Sequence, residues 1–292
     1  MSLGVSEMTP RPTKEQLAVL SFKERIAFKI ADFVNRYLKS VGALWNFSFM
    51  RFFIWAFIGR RVQFLGLEHL KGVNKKSKIM LVANHRSFFD FFSIAYIFLC
   101  RRDSPKHLYF PVRANFFYDS FIGIIVTALM GAWSMFPPIF RAESKRPFNR
   151  YSIERVIHDF RSKPSIFGFH PEGKRNKEKD PYSFLEAKFG VGQVLCEVED
   201  AIVIPLFIYG LSNKMGVEFK RNWGSDSQKY PIHLMLGAPI DLSRFANQPN
   251  TYETHLAIAQ ACMEAIKDIG TQHRQKYNPQ LNATQSTTLQ ET

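Results

Sequence analysis

Apolar positions recur at a helical period in the first part of this chain, and a change of texture at Val62 divides it. Val19, Phe22, Ile26, Ile30, Phe33 and Tyr37 follow one another at steps of three and four residues, which is one face of a helix. Lys23, Arg25, Lys29, Arg36 and Lys39 crowd the remaining surface, so the pattern is a cationic amphipathic helix, able to lie on a membrane or to pack on a domain. Thr13-Lys14-Glu15-Gln16 supplies a helix start ahead of it. A second apolar stretch, Val41 to Gly59, is dense in aromatics from Trp45 to Phe57; Asn46 and Arg51 interrupt it and Arg60-Arg61 close it. Its length approaches that of a spanning helix, but an arginine near its middle is costly in hydrocarbon. The pattern favours a helical hairpin dipping into one leaflet, ahead of a spanning helix or a buried core helix.

From Val62 the texture changes to short strands alternating with helices, which predicts an α/β domain with a central mixed sheet flanked by helices. Strands are expected at Val62–Leu65, Lys78–Ala83, His107–Val112, Ser165–Phe169, Ile202–Ile208 and Pro231–Leu236. Helices are expected at Phe88–Leu99, Phe148–Phe160, Lys188–Glu197 and Thr251–Lys267. Ser120 to Phe140 carries no charge, but Gly123, Gly131, Pro137 and Pro138 divide it into an apolar helix and a buried strand. Three segments result: a membrane-anchoring helical segment over 1–60, the α/β domain over 61–272, and a polar flexible tail over 273–292.

Composition narrows the partners. With 292 residues and 46% hydrophobic content the chain can bury a full core. A formal charge of +14 asks for an anionic neighbour or substrate, and 29 phenylalanines beside so many basic residues suit a lipid interface better than a nucleic-acid groove. No nucleic-acid recognition signature is legible. Cys100, Cys196 and Cys262 are scattered and free of metal-type spacing, which argues for a reducing compartment and against a disulfide framework or a zinc site. No secretory signal opens the sequence.

Two junctions carry candidate chemistry. In Asn84-His85-Arg86-Ser87-Phe88-Phe89-Asp90, between a strand and a helix, His85 can take a proton from a hydroxyl while Asp90 holds its other ring nitrogen. A helix beginning near Phe88 would favour the neutral, basic imidazole. The same letters also read as a capping box, with Ser87 and Asp90 closing a helix start. Phe167-Gly168-Phe169-His170-Pro171-Glu172-Gly173-Lys174-Arg175 is a strand followed by a turn, where Glu172 can hold the flanking cations and leave guanidinium donors for a phosphate, or where the loop is simply solvated. Arg141, closing the apolar run, is a further phosphate candidate or an ordinary surface arginine.

Taken in order, Asn84-His85-x-Ser87-x-x-Asp90, Arg141, Pro171-Glu172-Gly173-x-Arg175 and Val203-Ile204-Pro205-Leu206 resemble the motif blocks of the glycerolipid acyltransferases, in particular the 1-acylglycerol-3-phosphate (lysophosphatidate) acyltransferase family, over residues 62–240. The chain departs from the pattern at Lys174, where the family usually has threonine. It departs again at Arg113-Ala114-Asn115-Phe116, which only approximates a basic-x-Glu-Leu block; Lys188-Phe189-Gly190 approximates a later Lys-x-Gly step. The resemblance implies His85 as base, Asp90 as the group fixing its tautomer, and Arg141, Glu172, Gly173 and Arg175 as the acceptor-phosphate set. Arg113, Lys174 and Lys188 stand near it, and Ser87 is a cap first and a catalytic group second. It implies direct transfer from acyl-CoA or acyl-carrier protein to a lysophospholipid, with no cofactor and no metal. The enzyme would be membrane-associated on an anionic surface, its site at the cytoplasmic face. The departures leave open a sister acceptor (a lyso-aminolipid, glycerol 3-phosphate or a glycolipid), and from another class a membrane-surface lipid-binding protein without turnover.

Overall fold

The computed structural model describes residues 9–113, 128 and 134–279. The helices are α1 (Lys14–Ala18), α2 (Phe22–Tyr37), α3 (Lys39–Gly59), α4 (Asp90–Leu99), α5 (Arg146–Ser162), α6 (Gly190–Leu195), α7 (Met215–Trp223) and α8 (Tyr252–Tyr277). The strands are β1 (Val62–Leu65), β2 (Lys78–Ala83), β3 (Leu108–Tyr109), β4 (Val112–Arg113), β5 (Pro138–Ile139), β6 (Ser165–Phe169), β7 (Ile202–Tyr209) and β8 (Ile232–Leu236). The chain divides into two compact units: Met1–Arg51, Asn74–Lys78 and Arg102–Gly168 form one, and Phe52–Val73, Ile79–Arg101 and Phe169–Thr292 the other.

In the first unit, capping boxes start α1 at Thr13 and α2 at Ser21, each hydroxyl accepting from the backbone three residues on while Gln16 or Glu24 reaches back. The buried face of α2 is Ala27, Phe28 and Ala31, packed with Phe136, Phe148 and Tyr151. Phe28 meets the Phe148 ring edge-on at 4.9 Å. The apolar face picked out by the sequence period is the other one: Phe22, Ile26, Ile30, Phe33 and Tyr37 all face solvent, Phe22 to 77%. They are flanked by exposed Lys23 and Lys29.

A single residue, Leu38, joins α2 to α3. α3 is long and apolar enough, by length and composition, to cross a membrane, and it contains π-helical stretches at Asn46–Met50 and Trp55–Gly59. Val41, Leu44 and Phe49 on it are exposed. The strand expected at His107–Val112 is broken into β3 and β4 around Pro111, which has no N–H for a ladder, and the Phe110 N–H turns to Ser134 O at 2.8 Å. β3 pairs with β6 and β4 with β5, both in parallel. Most of the uncharged Ser120–Phe140 run lies outside the described residues; its last part supplies β5 and the buried Phe136 and Phe140.

The second unit is built on a mixed sheet in the order β1-β8-β7-β2, parallel at both ends with β7 antiparallel to β8 between. α4 is buried along its whole length, and α8 contributes Ile258, Cys262, Ile266 and Ile269 to the core. Two elements exceed the sequence pattern. α8 runs ten residues past the expected Lys267, because His273 is hidden and hydrogen-bonded to Tyr182 and His233. α7 is only nine residues long and has Gly216 in its first turn, too little to stand out as a helix in the sequence. It is pinned instead by its partners: Asn222 accepts from the Arg60 N–H at 3.0 Å, and the Trp223 indole donates to Ala56 O at 2.7 Å.

Arg155 in α5 is buried, donating to Asp159 at 2.8 Å, to Asp32 of α2 and to the Tyr151 hydroxyl at 3.3 Å. Removing a buried partner strands the opposite charges. Arg155→Met is expected to lower the unfolding free energy by about 3–5 kcal/mol in denaturant titration, with partial recovery when Asp32 and Asp159 are made apolar as well.

Candidate active site

β2 ends at Ala83, and Asn84 extends its line with a side chain that imitates backbone: Oδ1 accepts from Ile208 N at 2.7 Å and Nδ2 donates to Ile208 O at 3.0 Å. His85 therefore leaves the sheet from a fixed point at the carboxyl end of a strand, where α/β sheets present functional groups. Its backbone is held on both sides. The N–H donates to Glu172 Oε2 at 2.6 Å, and the C=O accepts from Asn176 N at 2.7 Å.

The His85 ring is partly open to solvent, and its Nδ1 lies 3.0 Å from Oδ2 of the buried Asp90. The same oxygen accepts from the N–H groups of Arg86 and Ser87, both at 2.8 Å. An ionised carboxylate only accepts, so Nδ1 carries the hydrogen and Nε2 is the nitrogen that can exchange a proton with a substrate. Burial pushes the Asp90 carboxyl up to about 6; His170, the two N–H donors and Arg175 oppose that rise. Its Oδ1 is buried and accepts no hydrogen bond among the described residues.

Two expectations about this junction change. The helix starts at Asp90 rather than near Phe88, since the Ser87 hydroxyl takes the Phe89 N–H at 3.1 Å and donates to Ser212 O at 2.7 Å. Ser87 thus closes a turn and ties the loop to Ser212, while only the Asp90 half of the capping box, its bond to the Ser87 N–H, is present.

His170 has a place that its sequence position did not suggest. Its ring stacks on His85 with centroids 4.0 Å apart and planes 9° from parallel. Nδ1 of His170 is 3.0 Å from Ala83 O, a carbonyl that can only accept. Burial first, and then the neighbouring His85, push its pKa down to about 3, so it is a neutral plate against one face of His85. The ligand atoms of His85, Asp90 and His170 lie within 4.8 Å of one another, a grouping that could hold a metal ion. Two rings lying face to face do not converge on a common point, and each commits its Nδ1 to a hydrogen bond, which suits proton handling better.

The turn after β6 requires Gly173 at φ +64, a backbone that side chains disfavour. Glu172 is buried, and its oxygens go to the N–H groups of His85 and Leu185, not to Lys174 or Arg175 among the bonds described; burial raises its pKa. Lys174 and Arg175 are exposed. Arg175 donates to Asn213 Oδ1 at 3.1 Å, and that oxygen also accepts from Phe88 N at 2.9 Å, which brings Arg175 to the His85 loop. The Lys188 N–H bonds to Pro171 O at 2.8 Å, and its side chain is exposed against Gly173. Arg141 is exposed and Arg113 ends β4; both belong to the other unit. Asn176, Asn213 and the His170 stack carry no signal in sequence, because each acts through a contact between distant segments.

The Asp90 shift sets a pH dependence. The ordinary value is 3.8 and the folded value about 6, so the native state holds this proton more tightly. Stability contributed by Asp90 is present below 3.8 and is lost as pH rises through 6, whereas support of a protonated His85 needs the ionised form above 6. Catalytic rate is expected to fall about tenfold between the plateau and pH 5 while the circular dichroism spectrum stays native. His85→Ala and Asp90→Asn should each lower the rate by about 10²- to 10⁴-fold, measured with the fold verified.

In comparison with solved structures, the fold resembles the crystal structure of the 1-acyl-sn-glycerophosphate (LPA) acyltransferase PlsC from Thermotoga maritima. The sequences are 16% identical, the match covers 83% of this chain and 80% of that one, and the TM-score is 0.41. No protein with a curated description matches the sequence. The family model described as Acyltransferase matches residues 61–209, which include His85, Asp90 and the Glu172–Arg175 turn. The chain belongs to the Acyltransferase family.

Proposed function

We propose that the protein transfers a fatty acyl group from a thioester donor, acyl-CoA or acyl-carrier protein, to the hydroxyl of a lysophospholipid such as 1-acyl-sn-glycerol 3-phosphate. The observation that carries this reading is the His85–Asp90 pair, with Nδ1 committed at 3.0 Å and the His85 backbone clamped on both sides. His85 Nε2 takes the acceptor hydroxyl proton as the oxygen attacks the thioester carbonyl. A C–O bond forms, the C–S bond breaks, and the imidazolium returns the proton to the leaving thiolate. Asp90 stabilises the imidazolium meanwhile. Arg175, tied to the His85 loop through Asn213, is the cation best placed for an acceptor phosphate; Lys174 is a second. The mechanism calls for no metal and no cofactor.

Association with an anionic membrane at its cytoplasmic face completes the reading. Phe22, Ile26, Ile30, Phe33 and Tyr37 form an apolar stripe open to solvent and flanked by lysines, the arrangement of a helix lying in an interface. The exposed aromatics of α3 continue it along the chain.

Purified protein with labelled acyl thioester and a lysolipid panel is expected to give diacyl product, with lysophosphatidate favoured over neutral or aminolipid acceptors. Product from another acceptor alone would reassign the substrate, and equal rates in wild type and His85→Ala would remove the catalytic assignment. Replacing Ile26, Ile30 and Phe33 by serine should release the protein from anionic vesicles in flotation, without altering its thermal unfolding midpoint.

A further inference from the structure

The His85 loop and the Glu172–Arg175 turn meet a third segment, the turn that follows β7. Gly210 opens it at φ +92, and a Cβ there would collide with the carbonyl of Pro231, so the turn is pressed against the residue that precedes β8. Ser212 and Asn213 then bond to the His85 loop. Ser212 O accepts from the Ser87 hydroxyl at 2.7 Å, Asn213 Oδ1 accepts from Phe88 N at 2.9 Å, and Asn213 Nδ2 donates to Arg86 O at 3.3 Å.

α7 supplies the other support of this turn. Ser212 N donates to Glu218 Oε1 at 2.8 Å, and Glu218 Oε2 pairs with Arg61. Both side chains are buried. Arg61 also donates to the Tyr230 carbonyl at 3.1 Å, next to the Pro231 on which Gly210 rests. Glu218 shares a helix face with Asn222, one turn on, whose bonds to Arg60 N, Trp55 O and Ala56 O fix α7 to the end of α3. Neither Arg61 nor Glu218 lies in a motif block. A buried ion pair is a poor way to hold a helix, since apolar side chains of similar volume would serve as well or better. An acceptor for Ser212 N, in contrast, has to be polar.

Base and arginine depend on this turn unequally. His85 keeps supports of its own, Glu172 and Asn176 on its backbone and Asn84 bonded to Ile208. Arg175 is exposed, and among the described residues its guanidinium bonds to Asn213 alone. A long side chain in water loses its place once its one partner moves. We propose that Glu218, paired with Arg61, is a positioning residue: through Ser212 and Asn213 it holds Arg175 beside the His85 loop to receive an acceptor phosphate, and so sets the preference for phosphate-bearing acceptors. This rests on the acyl-transfer reading above and adds to it a buried pair outside the site.

The test compares two double variants that both lack the buried charges. Arg61→Met with Glu218→Gln keeps an amide oxygen for Ser212 N, and Arg61→Met with Glu218→Leu does not. Full-length proteins in detergent are titrated calorimetrically with a short-chain lysophosphatidate. Acyl-transfer KM is measured for lysophosphatidate, for the acyl donor, and for monoacylglycerol, which has the hydroxyl and no phosphate. The Leu version is expected to bind lysophosphatidate about tenfold more weakly than the Gln version, with KM following. Values for the donor and for monoacylglycerol should agree within about twofold. In an Arg175→Ala background the difference should vanish, because both changes act through one group. Glu218→Asp keeps a charge for Arg61 but withdraws the oxygen from Ser212 N; it should repeat the loss, and it serves if the Leu version does not fold. Equal affinity in the two versions, a difference that persists without Arg175, an equal loss with monoacylglycerol, or no lysophosphatidate binding by the wild type would each overturn the proposal. The expected binding difference in a protein that transfers no acyl group would remove the acyl-transfer reading and leave the positioning role standing.

Discussion

The His85 backbone is the point on which the candidate site depends. One peptide unit donates to a buried glutamate and the next accepts from Asn176, so a histidine on an irregular loop is held as firmly as one in a strand. Geometry of this kind matters because general-base catalysis decays steeply once the base leaves hydrogen-bonding reach. Glu172 can serve as a clamp because its carboxylate is enclosed and both its oxygens are occupied by N–H groups. The turn at Gly173 is what brings that carboxylate back under the first loop. The Pro171-Glu172-Gly173-Lys174-Arg175 turn thus has two physical parts: an inward carboxylate that braces the His85 backbone, and an outward arginine tied to Asn213.

Much of the framework was legible in sequence. Short continuous apolar runs located β2, β6 and β7, which are buried along nearly their whole length, and their alternation with helix-like stretches located the helices around them. What was not legible depended on contacts between segments far apart in the chain. α7 is held by Asn222 and Trp223 reaching to the end of α3, and the extension of α8 carries His273, which finds buried partners in Tyr182 and His233. His85, Asp90 and Arg175 could be chosen from spacing and family resemblance. His170 could not, since its role comes from stacking and burial, and neither leaves a pattern.

The amphipathic helix illustrates how a correct period can point to an unexpected side. The residues that define the stripe of α2 are those left outside, and its packing is done by alanines and one phenylalanine. Small residues allow the helix to approach Phe136 and Phe148 closely while the bulky side chains are kept for another environment. The helix thus has two apolar faces of unequal size, one packed into the protein core and the other left open to solvent.

The neutral plate formed by His170 has a further consequence. A proton captured by His85 is bounded by His170, whose pKa burial pushes down to about 3, and by Asp90, whose carboxyl burial pushes up to about 6. Neither is an adequate sink at neutral pH, so charge cannot leak sideways into the protein. Among the described groups packed on the ring, His85 Nε2 is therefore left as the exit for that proton, so a molecule bound there would have to both supply it and take it back.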